Sequence, residues 1–178
     1  MSRLPPKIRR ASLAALALIG VLLTFAPVLV TLFWHLRHGS ALQYRGRTIR
    51  VPRRWIARAE PQGLTLSKLP LTVFSLDRFS GAIDLSLLAG RRSVTLDEVY
   101  LSWERALRTL AAEMDEDVTG PVRTGTGPVE TICMKFSSTH LKAAARASCL
   151  LFQGTWSAEF IGDEEDIDTF FQVVRSIN

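Results

Sequence analysis

The longest apolar stretch of the chain is the uncharged run Ala11–Trp34, ASLAALALIGVLLTFAPVLVTLFW. A helix of this length measures about 36 Å, which is enough to cross a bilayer with some tilt. Trp34 lies at one end, where aromatic side chains meet the membrane interface, and Pro27 predicts a kink. The pattern therefore predicts one transmembrane helix over residues 11–36, preceded by a basic N-tail of residues 1–10.

A cleaved signal peptide is the alternative interpretation of this N-terminus. The basic start, MSRLPPKIRR, suits a signal peptide, but the apolar run exceeds the roughly 7–15 residues of such a segment. The nearest small-residue cleavage site, Gly-Ser-Ala ending at Ala41, lies well beyond Trp34. These features favour an uncleaved anchor. Because no second run of this kind follows, the chain is expected to cross the membrane once.

Hydrophobic positions beyond the anchor alternate over short segments, as expected for strands with one buried face. Such segments are AIDLSLL (82–88), TICMKF (131–136), TWSAEF (155–160) and two short strands within Leu64–Leu76, broken at Pro70. ASCLLF (147–152) is apolar on both faces, as a central strand would be. Leu42 is predicted to pair with Ile49 across a hairpin turn, whereas residues 115–130, rich in Gly, Thr and Pro, predict a long surface loop.

Two amphipathic helices complete the predicted fold. The first begins at a capping box, Thr95 and Glu98, and its apolar stripe is Leu96, Val99, Tyr100, Trp103, Leu107, Leu110, Ala111 and Met114. The second closes the chain: its first turn is Glu164–Asp166, and its stripe is Ile167, Phe170, Phe171, Val174 and Ile177. The expected class is α+β over residues 37–178, an antiparallel sheet packed with a mid-chain helix and a C-terminal helix.

Charge is divided unevenly along the chain. The N-tail and residues 37–58 carry eleven basic residues and no acidic one, whereas from residue 59 onward eleven basic residues face seventeen acidic ones, a net charge of −6. The domain is therefore acidic, and the basic residues flank the predicted anchor. Residues 37–58 are predicted to form basic juxtamembrane strands with a lipid-facing patch of Arg37, Arg45, Arg47, Arg50, Arg53 and Arg54.

The lipid bilayer is the predicted partner of this patch, because basic residues beside a bilayer attract anionic head groups by about 1 kcal/mol each. The alternative is that the arginines occupy ordinary solvated strand positions, as the alternation predicts for Arg50. Nucleic acid is excluded as a partner, since the basic residues lie next to the membrane and the acidic domain would repel phosphate.

Both cysteines of the chain, Cys133 and Cys149, fall in predicted neighbouring strands. If they lie opposite each other, Phe136 falls opposite Arg146, and the Cβ atoms approach disulfide distance. Two free thiols, in a cytoplasm-facing scaffold, are the alternative. A disulfide and a short basic N-tail both favour a domain outside the cytoplasm, and the eighteen Arg against four Lys are typical of a GC-rich bacterial genome.

Familiar catalytic and ligand-binding patterns are missing, so we predict no metal, no cofactor and no catalytic residue. None of the three histidines has a second ligand at metal-binding spacing. The alternative function, a membrane-tethered hydrolase or transferase, would have its site near His140, Lys142 and the Gly/Thr loop.

Two segments resemble PsbP-like and DcrB-like domains. TIRVPRRWIA (48–57), a strand that runs through Val-Pro to a Trp, is similar to the start of these domains. TWSAEFIGDEEDIDTFFQVVRSIN (155–178), a strand followed by Gly, an acidic cap and a closing helix, is similar to their end. The resemblance implies an antiparallel sheet between helices, in a domain that often works outside the cytoplasm as a binding or assembly factor. It carries over no functional residue.

The sequence as a whole thus predicts a single-pass cell-membrane protein with an extracytoplasmic α+β domain. Its predicted function is non-enzymatic binding or assembly in a bacterial envelope, with an envelope protein as the expected class of partner and an unnamed ligand.

Overall fold

The computed structural model describes residues 6–71, 81–88, 95–124, 130–138 and 144–177. In chain order its elements are α1 (Pro6–Thr24), α2 (Ala26–His38), β1 (Ala41–Tyr44), β2 (Arg47–Arg50), β3 (Trp55–Ala59), β4 (Gly63–Lys68), β5 (Ala82–Leu87), α3 (Leu96–Glu113), β6 (Glu116–Thr124), β7 (Thr131–Ser138), β8 (Ala144–Leu151), β9 (Trp156–Asp163) and α4 (Ile167–Ser176). Within these residues, β1 and β2 form a hairpin, and the other strands form one antiparallel sheet in the order β3-β4-β5-β9-β8-β7-β6.

The two faces of the large sheet pack against different elements. One face carries the main core, in which Trp55, Leu85 and Phe160 pack in one cluster with Phe170 of α4 and Ile49 of the hairpin. The opposite face is covered by α3 over its β6–β8 half, through two smaller clusters centred on Tyr100, Ile132, Leu150, Ala111, Met134 and Phe136. The sheet therefore lies between helices, and the predicted α+β class is confirmed.

The predicted strand patterns are confirmed where the structure describes them. Ile83 and Leu85 are buried while Asp84 is exposed, and β8 lies between β7 and β9, as its apolar character predicted. Leu42 pairs with Ile49 across the hairpin. The second short strand predicted before Leu76 lies outside the described residues.

The N-terminal apolar run forms two helices where one was predicted. They meet at Phe25 with a bend of 68°. Pro27 accounts for the break, because it has no N–H to donate to the carbonyl of Leu23 and its ring crowds that oxygen. Among the described residues no single helix is long and apolar enough to span a membrane; the bent pair Ala15–Thr24 and Ala26–His38 meets that criterion by length and composition. The transmembrane assignment of residues 11–36 stays a prediction.

The junction between α2 and the domain is short and is held by hydrogen bonds. Only Gly39 and Ser40 separate α2 from β1. The ring of His35 lies between two carbonyl oxygens, with Nδ1 3.0 Å from that of Gly39 and Nε2 3.2 Å from that of Pro52, and the neutral ring can donate to one of them. The Val51 N–H donates to the Ser40 carbonyl at 2.9 Å. Helix α2 and the hairpin therefore hold a fixed relation to the sheet.

Helix α3 begins at the predicted capping box. The Glu98 N–H donates to the Thr95 hydroxyl, and the Thr95 N–H donates to the Glu98 carboxylate at 2.9 Å. The hydrogen bond from the Thr95 backbone, and then the one from its hydroxyl, lower the pKa of Glu98 by favouring its charged form. The predicted stripe is only partly buried: Leu110 is 38% and Met114 is 52% exposed. Two stripe positions near the end of α3 are therefore exposed in the described structure.

The prediction of a surface loop over residues 115–130 is wrong for most of its length. Strand β6 occupies Glu116–Thr124 and is the last strand of the sheet in the described part of the chain. Gly120 and Pro121, which suggested a loop, are accommodated by a bulge. An edge strand tolerates proline because no further strand needs its N–H. Residues 125–129 lie outside the described ranges.

The C-terminal helix buries most of its predicted stripe. Ile167, Phe170, Val174 and Ile177 are buried, Val173 joins them, and Phe171 is only half-buried. The acidic residues Glu164–Asp166 form a separate 3₁₀ turn before α4, which corrects the predicted first turn. Asp166 is buried in this turn.

Candidate functional site

A groove of about 250 Å³ lies between α4 and the outer strands β6 and β7, on the main-core face of the sheet. Its apolar walls are Val122 of β6 together with Phe171 and Val174 of α4, and Cys133 of β7 forms part of its lining. The remaining contributors include three hydroxyls and two cationic side chains: Thr119, Thr124, Thr131, Lys135 and Arg175. The groove is thus apolar inside with polar groups around it.

The bulge in β6 determines which side chain enters the groove. In a regular strand Val118 and Val122 would point to the same face, because side chains alternate with a period of two. The register shifts between Thr119 and Val122, so that Val118 pairs with Phe136 on the α3 face while Val122 pairs with Cys133 on the groove face. Val122 is 55% exposed there. The bulge therefore supplies one wall of the groove.

Gly120 makes this bulge sterically possible. Its φ is +114°, and a Cβ at this position would lie 2.9 Å from the carbonyl oxygen of Cys133. Both the backbone conformation and the close approach require glycine.

A disulfide joins β7 to β8 beside the groove. Cys133 and Cys149 are direct partners in the antiparallel ladder, with an S–S distance of 2.10 Å. Phe136 lies opposite Arg146, so the predicted register is confirmed, and the structure contains the predicted bridge. Cys149 is fully buried and Cys133 reaches the groove lining, so the cross-link gives the groove a covalently fixed side.

The lining of the groove combines apolar walls with hydroxyl and cationic side chains. Its described lining residues include no carboxylate and no histidine that could act as a general base. Lys135 is engaged by the Glu164 carboxylate at 3.0 Å, whereas Arg175 is exposed on α4. The volume falls below the roughly 300–1,000 Å³ of sites for drug-sized ligands. A single apolar side chain therefore fits this groove better than a whole cofactor.

The structure separates the six arginines of the predicted lipid-facing patch. Arg45 and Arg47 lie at the β1–β2 turn, where Arg45 donates to the Pro61 carbonyl at 2.5 Å and Arg47 lies over the Phe152 ring at 3.9 Å. The other four lie towards the α2 end of the hairpin: Arg37, Arg50, Arg53 and Arg54. Along β2, the three residue steps from Arg47 to Arg50, about 10 Å, separate the two groups. Lipid contact by these arginines stays a prediction.

Three carboxylates near the start of α4 lie close enough together to hold a cation: Asp163, Glu165 and Asp166 offer oxygens within 4.8 Å of one another. The Lys68 ammonium lies there, 2.5 Å from Asp166 and 3.4 Å from Glu165. Burial lowers the pKa of Lys68, but the hydrogen bond and charge of Asp166, together with Glu165, outweigh burial and raise its pKa above the ordinary value. The cluster is therefore an ion pair that fastens the 3₁₀ turn to β4.

Of the alternative enzyme site, His140, Lys142 and residues 125–129 of the Gly/Thr loop lie outside the described residues, whereas most of the rest of that loop forms β6. The sequence did not predict the groove. Its walls come from distant segments, and β6 was interpreted as a loop. The valines on either side of Gly120–Pro121 were the one signal of a bulged edge strand.

The sequence matches no protein-family profile and no curated protein. Among solved structures, the chain is similar to the solution structure of cyanobacterial PsbP (CyanoP) from Synechocystis sp. PCC 6803, with a TM-score of 0.49 and 12% sequence identity. The likeness covers 78% of this chain and 90% of that chain. It concerns the fold alone, and at that level it agrees with the resemblance to PsbP-like domains found in the sequence.

Proposed function

We propose that this protein is a membrane-anchored, non-enzymatic binding or assembly module of a bacterial envelope. The groove between α4 and β6–β7 holds an apolar side chain of an envelope protein partner. One observation carries the proposal: a preformed apolar groove lies next to the last described strand of the sheet, with Val122 exposed in its wall.

An extended segment is the form of partner that suits this site. A strand laid along the outer edge of β6 gains main-chain hydrogen bonds, while an alternate side chain enters an adjacent pocket. Pro121 offers no N–H, so such pairing is strongest on either side of the bulge. Thr119, Thr124 and Arg175 supply the polar rim that protein interfaces commonly have.

The anchor is the bent pair α1–α2, and the domain lies outside the cytoplasm. Support for the anchor comes from the exposed apolar side chains of both helices, including Leu23, Leu32 and Phe33. Support for the orientation comes from the disulfide, since such bonds persist in oxidising compartments. Fractionation with intact mass tests the anchor, and a soluble product starting near Leu42 would contradict it.

The orientation has its own test in a phosphatase fused after Asn178, which is active only outside the cytoplasm. Activity is expected. An inactive phosphatase combined with an active cytoplasmic reporter at the same position would reverse the orientation.

Site-specific photocrosslinking tests the groove in living cells. A photoreactive residue at Val122 should yield a defined envelope-protein adduct, whereas the same residue at Ile161 should not. The two positions are matched, because both are strand residues with 55% exposure and they lie on opposite faces of the sheet. Equal adducts at both positions would refute a groove-specific partner.

A groove-filling variant separates true occupancy from mere proximity. Thr131→Trp places a large side chain in the groove while the photoreactive residue stays at Val122. The adduct should disappear although the protein remains folded in a thermal melt. An undiminished adduct would show that the partner contacts Val122 without entering the groove.

A further inference from the structure

A second concavity, about 430 Å³ in volume, lies where α2 meets the folded domain. One wall is α2 itself, where Val28 is 37% and Leu32 is 55% exposed. The opposite wall is the connection between β2 and β3, which carries Arg53 and Arg54. An apolar wall facing two guanidinium groups offers complementary surfaces to a molecule with an anionic head and a hydrocarbon tail.

The crevice is preformed. Its two walls are linked where Nε2 of His35 on α2 lies 3.2 Å from the Pro52 carbonyl oxygen, and by the hydrogen bond from Val51 to Ser40. Trp34, one residue before His35, packs against the main core. A ligand entering here would not have to order the site, so little of its binding free energy is lost to conformational change.

The two arginines are not committed to partners within the described part of the chain. Arg53 is exposed, and no carboxylate among the described residues forms an ion pair with it or with Arg54. The Nε of Arg54 is buried and has no hydrogen-bond partner there. Guanidinium groups match phosphate oxygens bidentately. An anion in the crevice would offset the positive charge of both arginines.

The charge around the crevice favours an anion as well. A neighbouring concavity shares Ser40 and Val51 with the crevice and is lined by Arg50 and Arg175. Four arginines therefore surround the junction between α2 and β1, and the sum of their fields is positive at the crevice.

We propose that this crevice binds one anionic phospholipid of the surrounding membrane. The phosphate lies between Arg53 and Arg54, and an acyl chain runs along Val28 and Leu32 onto the apolar surface of the helices. The inference rests on the proposed membrane anchorage, since α2 brings the crevice to head-group level. It narrows the predicted lipid patch to the α2 end of the hairpin and leaves Arg45 and Arg47 outside the site.

The test titrates phosphatidylglycerol into the full-length protein in mild detergent, with bound lipid counted by native mass spectrometry. The unaltered protein should bind one phosphatidylglycerol in preference to phosphatidylcholine. Arg53→Gln/Arg54→Gln should weaken this binding at least about tenfold, because it removes the charge-assisted hydrogen bonds from both guanidinium groups to the phosphate.

The matched control is Arg45→Gln/Arg58→Gln. It removes the same charge at two exposed arginines near the far ends of β1 and β3, and its lipid affinity should stay within about twofold of the unaltered protein. Since Arg54 is half-buried, the single variant Arg53→Gln at the exposed position keeps the test valid if the double variant unfolds. An equal loss of lipid affinity in the control would show that the overall positive charge of the protein attracts the lipid, and this result would overturn the proposed site.

Two further outcomes would also overturn the proposal. Equal affinity for phosphatidylcholine would show that the head-group charge is not recognised. Displacement of the lipid by soluble glycerol phosphate at the same concentration would identify a site for free phosphate, with no contribution from the acyl chain. Retention in lipid nanodiscs is measured separately. Protein that is not retained contradicts the anchor, whereas retained protein without lipid preference contradicts only the crevice.

Discussion

Cys133 and Cys149 lie directly opposite each other on β7 and β8, with their Cα atoms 4.1 Å apart and their sulfurs bonded. Reducing the bridge, or replacing both cysteines by alanine, should lower the free energy of unfolding by about 3 kcal/mol, because it frees a loop of about 15 residues in the unfolded chain. Urea unfolding of the full-length protein in detergent with and without reductant measures this. Two alkylatable thiols in protein taken from its native envelope would contradict the bridge.

Phe170 and Phe171 differ in burial although they are neighbours on α4. Phe170 is fully buried and stacks on Phe160 with the ring centroids 5.6 Å apart, whereas Phe171 is half-buried beside the groove. Phe170→Ala should therefore cost about 3–5 kcal/mol of stability. Phe171→Ala should reduce the stability clearly less. If thermal melts show equal losses of stability for the two variants, Phe171 belongs to the core and not to the wall of a groove.

The Lys68–Asp166 pair is largely withdrawn from solvent, with side chains 12% and 10% exposed. Asp166→Asn should destabilise the protein by about 3 kcal/mol, the lower end for breaking a buried pair, because Glu165 remains near Lys68. The matched variant Glu164→Gln removes the more exposed pair with Lys135 and should cost at most about 1 kcal/mol. Equal losses of stability for the two variants in chemical unfolding would show that the Lys68–Asp166 pair contributes no more than an exposed ion pair.

The same pair predicts a dependence of stability on pH. The folded-state pKa of Lys68 is raised above its ordinary 10.5. Its contribution is therefore fully present below pH 10.5 and is lost as the pH rises through the higher folded-state value. The difference in stability between the unaltered protein and Lys68→Met should be flat from neutral pH to about 10 and shrink above it. A difference that shrinks already below pH 9 would contradict the raised pKa.

Gly120 should be intolerant of even a single methyl group. Gly120→Ala should destabilise by about 1–3 kcal/mol, since a positive φ is combined with a Cβ 2.9 Å from a backbone oxygen. Gly46→Ala is the control, because Gly46 has φ +77° but no atom within 4 Å of its Cβ position. Gly46→Ala should lower the free energy of unfolding by only about 1 kcal/mol, because the positive φ is its one source of strain. If Gly120→Ala destabilises the protein no more than Gly46→Ala does, the contact between a Cβ at position 120 and the Cys133 carbonyl oxygen does not contribute to the loss.

The elements that local sequence specified well are those in which one signal dominates. The capping box set the start of α3, strict alternation set the buried face of β5, and two cysteines in neighbouring predicted strands indicated the pairing of Cys133 with Cys149. Prediction failed where tertiary structure overrides a local signal. Gly120–Pro121 indicates a turn, but the edge position removes the penalty of proline and the bulge absorbs the extra residue.

The binding surfaces were harder to predict for a related reason. The groove joins residues from β6, β7 and α4, whose proximity follows from strand order and not from spacing along the chain. The sequence predicts the acidic run Glu164–Asp166 as the first turn of the closing helix, and nothing local indicates that Lys68, almost a hundred residues earlier, is its partner.

The order of the strands also sets the lateral distance between the crevice at α2 and the groove beside β6. Helix α2 adjoins β3 at one edge of the sheet, whereas the groove lies over β6 and β7 at the other. In the plane of the sheet, five strand spacings of about 4.8 Å put roughly 24 Å between β3 and β7. The two surfaces approach each other at Arg175 of α4, which lines both the groove and the concavity beside the crevice. Occupancy of the crevice should leave the outer edge of β6 unobstructed, so that a neighbour in the plane of the membrane could reach this edge without displacing the anchor.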